Sequence, residues 1–440
     1  MPGELPFGQA LARIVTGVPG PLSRDLAARL ARVESPNITS QLDPGPIFWT
    51  EAAGANVRDV DGNTYIDLTA GFGVATAGHA NVAVASAIAQ QASKLPHAMG
   101  DVHPAAIKVE LLEKLASITP GDLNVSILAS SGAEAVEAAL KTARLRTGRA
   151  GVIAFEGSYH GLTYGALATT WRGDFRAPFA DQLSKVVRFA PFPAERRDGV
   201  SLPEALHFIE AVIAESAASS APIGAIIVEP ILGRGGIVPP APGFLGALRQ
   251  LCDGEQCVLI FDEIYTGCGR TGRWFACEHE GVIPDIIVIG KALTGSLPLS
   301  AAIGSRAVMD AWPPSTGEAI HTSTFLGNPI GCAAALAQLG EIDRLGLLER
   351  ATCLGEQIRS RIEDWSTRFA DVIGARGRGL LQAVVLARPI GVRLSNAALE
   401  RGVLVLPEGE DALAITPPAV ITEAQLESAL DGIETALVTG

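Results

Sequence analysis

The chain has 440 residues, 48% of them apolar, and carries 34 Lys and Arg against 47 Asp and Glu for a net charge of −13. That length buries one large core or two to three domains, and that charge disfavours a general attraction to nucleic acid or to an anionic membrane. Any anionic ligand must be held by a local site.

The six cysteines (Cys252, Cys257, Cys268, Cys277, Cys332, Cys353) include no C-x-x-C pair, and the seven histidines no H-E-x-x-H. Neither a structural zinc nor a zinc-protease site is suggested, so no metal is expected, and a reduced compartment suits the thiols. The first stretch, "MPGELPFGQALARIVTGVPG", lacks a basic start followed by a sustained apolar core. No run of about 18 apolar residues occurs anywhere, and the expectation is a cytoplasmic protein with no membrane partner.

In chain order, "IFWTEAAGANVRDVDGNTYIDLTAG" (Ile47 to Gly71) reads as short strands around a tight turn at Asp61-Gly62-Asn63. From about Asn124 to Ile303, short apolar runs alternate with amphipathic stretches: "VSILAS", "GVIAFEG", "AIIVEP", "VLIFDE" and "DIIVIG". This alternation predicts an α/β fold whose mostly parallel central sheet is flanked by helices. After Pro329, "IGCAAALAQLGEIDRL" predicts a helix, and the tail mixes helices with short strands. The expected organisation is an N-terminal segment 1–75, a large cofactor-binding domain 76–330 and a C-terminal part 331–440. The two ends together build a smaller α+β domain. Ligands of open α/β sheets sit beyond the carboxyl ends of the strands, so the residues just after the apolar runs carry the chemistry.

The first run leads into Ser131-Gly132-Ala133, which opens a helix with Val136, Leu140 and Ala143 on one face. Its free N–H groups suit a phosphate as well as ordinary capping. The second leads to Tyr159 and His160, an aromatic face for a planar ligand and a histidine that fits either a structural or a catalytic role. The third carries Glu229 out of a buried strand, where its carboxylate needs a partner, with Arg234 nearby. In the fourth, Asp262 and Glu263 are adjacent and point to opposite faces. Asp262 shares its face with Ile260 and Ile264 and is the carboxylate expected in the low-dielectric cleft. The fifth places Lys291 one glycine beyond Ile286 to Ile289, 29 positions after Asp262. A strand-end lysine, a buried acid, an aromatic face and a phosphate cradle are the set that pyridoxal phosphate requires.

Taken in order, "DVDGNTYIDLTAGFGVATAGH", "SSGAEAVEAALKTAR", "GSYHGLT", "VEPILGRGG", "FDEIYTGCGRTG", "IIVIGKALTGSLPLS" and "HTSTFLGNPIGCAAALA" resemble the class III aminotransferases of the fold-type I pyridoxal-phosphate superfamily. The resemblance spans about Ile47 to Leu430. It implies pyridoxal 5'-phosphate as cofactor, with Lys291 as Schiff-base lysine and proton-transfer base and Asp262 as partner of the pyridinium nitrogen. It also implies Tyr159 and Ile264 on the two ring faces, Gly132 and Ala133 as phosphate donors with the Ser131 hydroxyl, and Glu229 on the substrate side. Phe72 and Val74 correspond to pocket-lining positions. Thr324 matches a threonine that reaches the neighbouring subunit's cofactor, which implies a homodimer with shared sites, either alone or as a dimer of dimers.

Three positions depart from that pattern. Tyr265 stands where a glutamine often touches the cofactor's 3′ oxygen, and a phenol still donates one hydrogen bond. Leu162 and Ala414 stand where arginines often bind substrate carboxylates. Pyruvate as acceptor, a substrate with little carboxylate character, or a compensating Arg234 or Arg172 each fits. The reading is an aminotransferase acting between a primary amine or ω-amino acid and a 2-oxoacid. A racemase, epimerase or aminomutase of the same family, which needs no acceptor, is the alternative.

Overall fold

The computed structural model describes residues 5–40, 43–195 and 199–439. The chain forms two compact units, residues 82–351 and residues 1–81 with 352–440.

The 82–351 unit is built on seven strands: β1 (Leu123–Ala129), β2 (Gly151–Phe155), β3 (Val187–Ala190), β4 (Ile223–Val228), β5 (Val258–Asp262), β6 (Ile286–Ile289) and β7 (Ser300–Ser305). They lie in the order β1-β7-β6-β5-β4-β2-β3. All neighbours from β6 to β3 pair in parallel, and β7 alone runs against both of its neighbours. The sheet is therefore mostly parallel, as the alternating pattern predicts. Every residue of β4, β5 and β6 is buried, because helices cover both faces and the strands are continuous Ile/Val-rich runs.

Helix α1 (Gly132–Thr147) lays Ala135, Val136, Ala138, Ala139 and Ala143 into the core. These small side chains join Ile227, Ile260, Ile286 and Val288 of the sheet in one apolar cluster. Truncating one such residue, as in Ile260→Ala, costs about 2–5 kcal/mol through lost transfer energy and an unfilled cavity. Helix α2 (Pro329–Arg344) is capped by Asn328, whose Oδ1 accepts the N–H groups of Ile330 and Gly331 at 3.0 and 3.2 Å. It packs on the helix Val82–Lys94 of the same unit. The boundary expected at 330/331 thus falls inside a helix of the large unit.

In the other unit, the strands Trp49–Ala53, Asn56–Asp59 and Thr64–Asp67 form an antiparallel meander, and Val403–Leu404 joins the third in parallel. The expected turn is present, with Gly62 at φ +87° and Asp59 Oδ1 accepting the N–H groups of Asp61 and Asn63 at 3.0 and 2.9 Å. A second, antiparallel sheet comprises Val372–Arg378, Leu381–Leu386, Leu406–Glu408 and Ala412–Ile415. After the meander, Ala70, Gly71, Phe72 and Gly73 take φ values of +47°, +56°, +63° and +78°. Such a left-handed run is costly at the two non-glycine positions and needs external support. Buried Asp67 supplies it, accepting from the backbone N–H groups of Thr69 and Gly71 at 2.7 and 3.1 Å and from His79 Nε2 at 2.7 Å.

Candidate active site

Asp262 ends β5 directly opposite Val288 of β6, three residues before Lys291. The strand register therefore brings the acid and the lysine to the same carboxyl edge of the sheet. Asp262 is 4% exposed. Its Oδ1 accepts the Ile264 N–H at 3.0 Å, and its Oδ2 lies 2.8 Å from Nδ1 of the buried His160. A carboxylate only accepts, so Nδ1 carries the proton of that bond. The His160 N–H in turn donates to Thr170 Oγ1 at 2.9 Å, tying its backbone down.

Glu263 points the other way, as the alternation of strand side chains requires. It accepts the N–H groups of Ala276 and Cys277 at 3.0 and 2.8 Å and a bond from Thr266 Oγ1, and burial pushes its carboxyl up to about 6. It organises the Thr266–Cys277 loop, and Asp262 is the acid on the side of Ile264.

Lys291 follows Gly290 with φ +39°, a backbone conformation that costs a non-glycine residue about 1–3 kcal/mol. Its Nζ lies 3.8 Å from the centroid of the Tyr265 ring. Tyr265, only 9% exposed, thus presents its ring to the lysine rather than merely its hydroxyl.

The N-terminus of α1 meets this edge. Ser131 caps it by accepting the Glu134 N–H at 3.3 Å, and its carbonyl is held by Ser300 Oγ at 2.6 Å. A Cβ at Gly132 would lie 2.7 Å from Ile264 Cδ1, and one at Gly161 would lie 2.6 Å from Ala133 Cβ. Two glycines therefore let the backbone of the helix start approach its surroundings closely.

Glu229 joins two loops at the same edge. Its Oε1 accepts the Tyr159 N–H at 2.8 Å and its Oε2 the Gly233 N–H at 2.9 Å. Burial pushes this carboxyl up to about 7, opposed by nearby His160 and reinforced by Asp262. Arg234 follows, with its guanidinium carbon 4.8 Å from the Tyr159 ring centroid and 5.8 Å from that of Phe175. Phe175, with its ring 6.1 Å from Tyr159, was not singled out by the sequence. Its only signal there is an aromatic residue between the charges of "RGDFR".

Of the sequence-derived candidates, Ser131, Gly132, Ala133, Tyr159, Glu229, Arg234, Asp262, Ile264, Tyr265, Lys291 and Thr324 all belong to the 82–351 unit, and Thr324 is exposed. Phe72, 63% exposed, and Val74 belong to the other unit, on and just after the left-handed run. Leu162 is exposed, and Ala414 is buried in the strand Ala412–Ile415. Among the described residues, no group of three or more His, Cys, Asp or Glu side chains is arranged to hold a metal, and no helix is long and apolar enough to cross a membrane.

A buried carboxylate with both oxygens oriented, a lysine at the end of the adjacent strand and a glycine-opened helix start fit pyridoxal 5'-phosphate. Asp262 suits its ring nitrogen, Lys291 its aldehyde and the start of α1 its phosphate.

Comparison with known proteins agrees. The class-III aminotransferase family model matches residues 38–437. The chain is 38% identical over 391 residues to the acetylornithine aminotransferase of Methanosarcina mazei, covering 89% of this chain and 92% of that one. It is 36% identical over 440 residues to the 4-aminobutyrate aminotransferase of Mycobacterium leprae, covering 95% and 96%. A solved amine transaminase from an uncultivated Pseudomonas species, in its PLP-bound form, superposes with a TM-score of 0.86 at 26% identity, over 92% of this chain and 98% of that one. The fold is that of the fold-type I pyridoxal-phosphate transaminases. The chain belongs to the class-III aminotransferase family, and it is an aminotransferase with pyridoxal 5'-phosphate as cofactor.

Proposed function

We propose that this aminotransferase moves an amino group from a primary amine or ω-amino acid to a 2-oxoacid such as pyruvate or 2-oxoglutarate, with Lys291 and Asp262 as catalytic residues. The observation that carries this reading is the pairing of β5 with β6, which sets Asp262 opposite Val288 and sends Lys291 off the same edge. Transfer is preferred to racemisation because relatives sharing more than a third of the sequence are named aminotransferases.

The bound cofactor supplies an electron sink for the electron pair left when the substrate Cα–H bond breaks. Asp262, oriented by His160 and the Ile264 N–H, keeps the proton on the pyridine nitrogen. Lys291 Nζ would hold the cofactor through its aldehyde carbon and would serve as the base that takes the proton from the substrate Cα. Tyr159 and Ile264 would flank its ring. Ser131, Gly132 and Ala133 bind the phosphate through the start of α1, and Tyr265 confines the lysine. Glu229 holds the Tyr159 and Gly233 loops. Thr324, exposed on its own subunit, serves the cofactor of a second copy, so the working unit is a homodimer.

The test is the visible spectrum of the purified holoprotein while chiral amines and amino acids are added singly without acceptor. A loss of the band of the lysine-linked cofactor, reversed by pyruvate or 2-oxoglutarate, supports the reading and names the acceptor. A persistent band while the added compound loses optical activity overturns it in favour of a racemase or epimerase.

A further inference from the structure

We infer that Cys252 and Cys257 form a modification site, at which a small two-electron oxidant such as hydrogen peroxide converts a buried dithiol to an intrachain disulfide. The pair sits where the helix Phe244–Glu255 runs into β5, at the opposite end of that strand from Asp262.

The chain reversal there brings the two side chains together. Gln256 ends the helix in a left-handed conformation, φ +53° and ψ +40°, and the Cys257 N–H donates to the Cys252 carbonyl at 2.9 Å. A reversal of this kind sets the side chains of its first and last residues against each other over the helix end. Given that hydrogen bond, standard bond lengths keep the two Cα atoms within about 6.8 Å, a span that a disulfide bridges. Both residues line one cleft of about 640 Å³, together with Arg146, Arg149, Arg249 and Asp285. A peroxide molecule, not much larger than the ~30 Å³ of a water, enters such a cleft. The thiols, 1% and 5% exposed, are closed to bulky reagents.

Burial pushes both thiols up. At Cys252 the neighbouring Cys257 and the Asp285 and Asp253 carboxylates add to this against the pull of Arg249, and at Cys257 so do Glu255 and Asp285 against that of Arg149. Thiolate is scarce at neutral pH, so the first step is slow. In that step the more exposed Cys257 Sγ attacks one peroxide oxygen: an S–O bond forms, the O–O bond breaks, and the other oxygen leaves as hydroxide and takes the thiol proton to become water. The weak bond of this thiol to the Ile223 carbonyl, at 3.6 Å, is lost with that proton. Cys252 Sγ then displaces the hydroxyl of the sulfenic acid as a second water, so that two thiols and one peroxide give one disulfide and two waters. The constant nearness of Cys252 makes this second step fast and diverts Cys257 from the irreversible sulfinic acid.

The experiment treats the holoenzyme with hydrogen peroxide at mildly alkaline pH in a Cys353→Ser background, which removes the exposed thiol as a source of links between chains. After quenching, free thiols are alkylated in denaturant and the chain is cut after glutamate. The cut at Glu255 separates Cys252 from Cys257 and the cut at Glu263 excludes Cys268, so only a disulfide keeps the two peptides together. Mass spectrometry is expected to find them joined, in at least about ten-fold excess over any other cysteine pairing, and a reductant to release them. With Cys252→Ala, Cys257 should instead be recovered as its sulfenic or sulfinic acid. If that variant does not fold, Cys252→Ser decides on the same product. Separate peptides with both thiols still open to alkylation, or sulfinic acid at Cys257 while Cys252 is present, overturn the inference.

Discussion

His160 Nδ1 lies 2.8 Å from Asp262 Oδ2, and both side chains are buried, the imidazole fully and the carboxylate to 4%. Removing the histidine leaves the Asp262 carboxylate with the Ile264 N–H, at 3.0 Å, in a low-dielectric setting. His160→Phe keeps a ring of similar size and removes the donor. A hydrogen bond to a buried charged group contributes about 1.5–3 kcal/mol, so kcat should fall roughly ten- to hundred-fold with a smaller change in KM. Steady-state kinetics checks this, and an unchanged kcat would show that the imidazole does not orient the acid.

Lys291 combines a chemical role with a strained backbone at φ +39°. Lys291→Ala should abolish the borohydride-stable adduct seen by mass spectrometry and slow amino transfer by at least about 10²–10⁴-fold, the usual share of a positioned acid-base group. Lys291→Gly removes the same amine but relieves the left-handed strain. It should therefore unfold about 1 kcal/mol later than Lys291→Ala, reversing the usual order of glycine and alanine. Equal thermal midpoints for the two variants would contradict the strain argument.

Much of this architecture is legible in the sequence because period-2 alternation is local. It separates Asp262 from Glu263, and the continuous apolar runs of β4 to β6 mark strands buried on both faces. The reversal of β7 is less plain, although Gly290 to Leu299 is shorter than the dozen or so residues a parallel crossover requires. What the sequence does not carry is side-chain direction across long separations. Tyr265 reads as a hydrogen-bond donor to the cofactor, yet its ring meets Lys291. The His160–Asp262 bond joins residues 102 positions apart, and only the sheet order puts them together. The left-handed run at Ala70–Gly73 is hidden too, since alanine and phenylalanine give no sign of positive φ.

Acid should weaken the unit containing residues 352–440 through Glu434. Burial alone would raise the Glu434 carboxyl, but hydrogen bonds from Arg368, Trp365 and Arg361 hold it down at about 2. Trp365 Nε1 and Arg361 Nη2 each donate to Oε2 at 2.9 Å. A carboxyl whose folded value lies below its unfolded one contributes stability that is complete above about pH 4.5 and is lost as pH falls toward 2. Glu434→Gln should therefore be less stable than the wild type at pH 7, by about 1–2 kcal/mol, with the gap closing between pH 4.5 and 2. Denaturant titrations across that range measure it. A gap independent of pH would assign the loss to packing instead of charge.

Gly161 has φ +123°, and a Cβ there would lie 2.6 Å from Ala133 Cβ and 3.0 Å from Ala133 Cα. The contact is with the first turn of α1, where rigid backbone rather than a flexible side-chain end would have to yield. Gly161→Ala should cost on the order of 2 kcal/mol or more of stability, from the conformation and the clash together. Because the displaced element is the proposed phosphate cradle, the dissociation constant for pyridoxal phosphate should rise at least about ten-fold, since hydrogen bonds to a charged group weaken steeply with distance. Gly173→Ala is the matched control: it meets nothing within 4 Å and has no positive φ. Its stability should stay within about 0.5 kcal/mol of the wild type. If Gly161→Ala loses stability while its cofactor affinity, measured by fluorescence titration of the apoenzyme, stays at the wild-type value, the start of α1 is not what holds the phosphate.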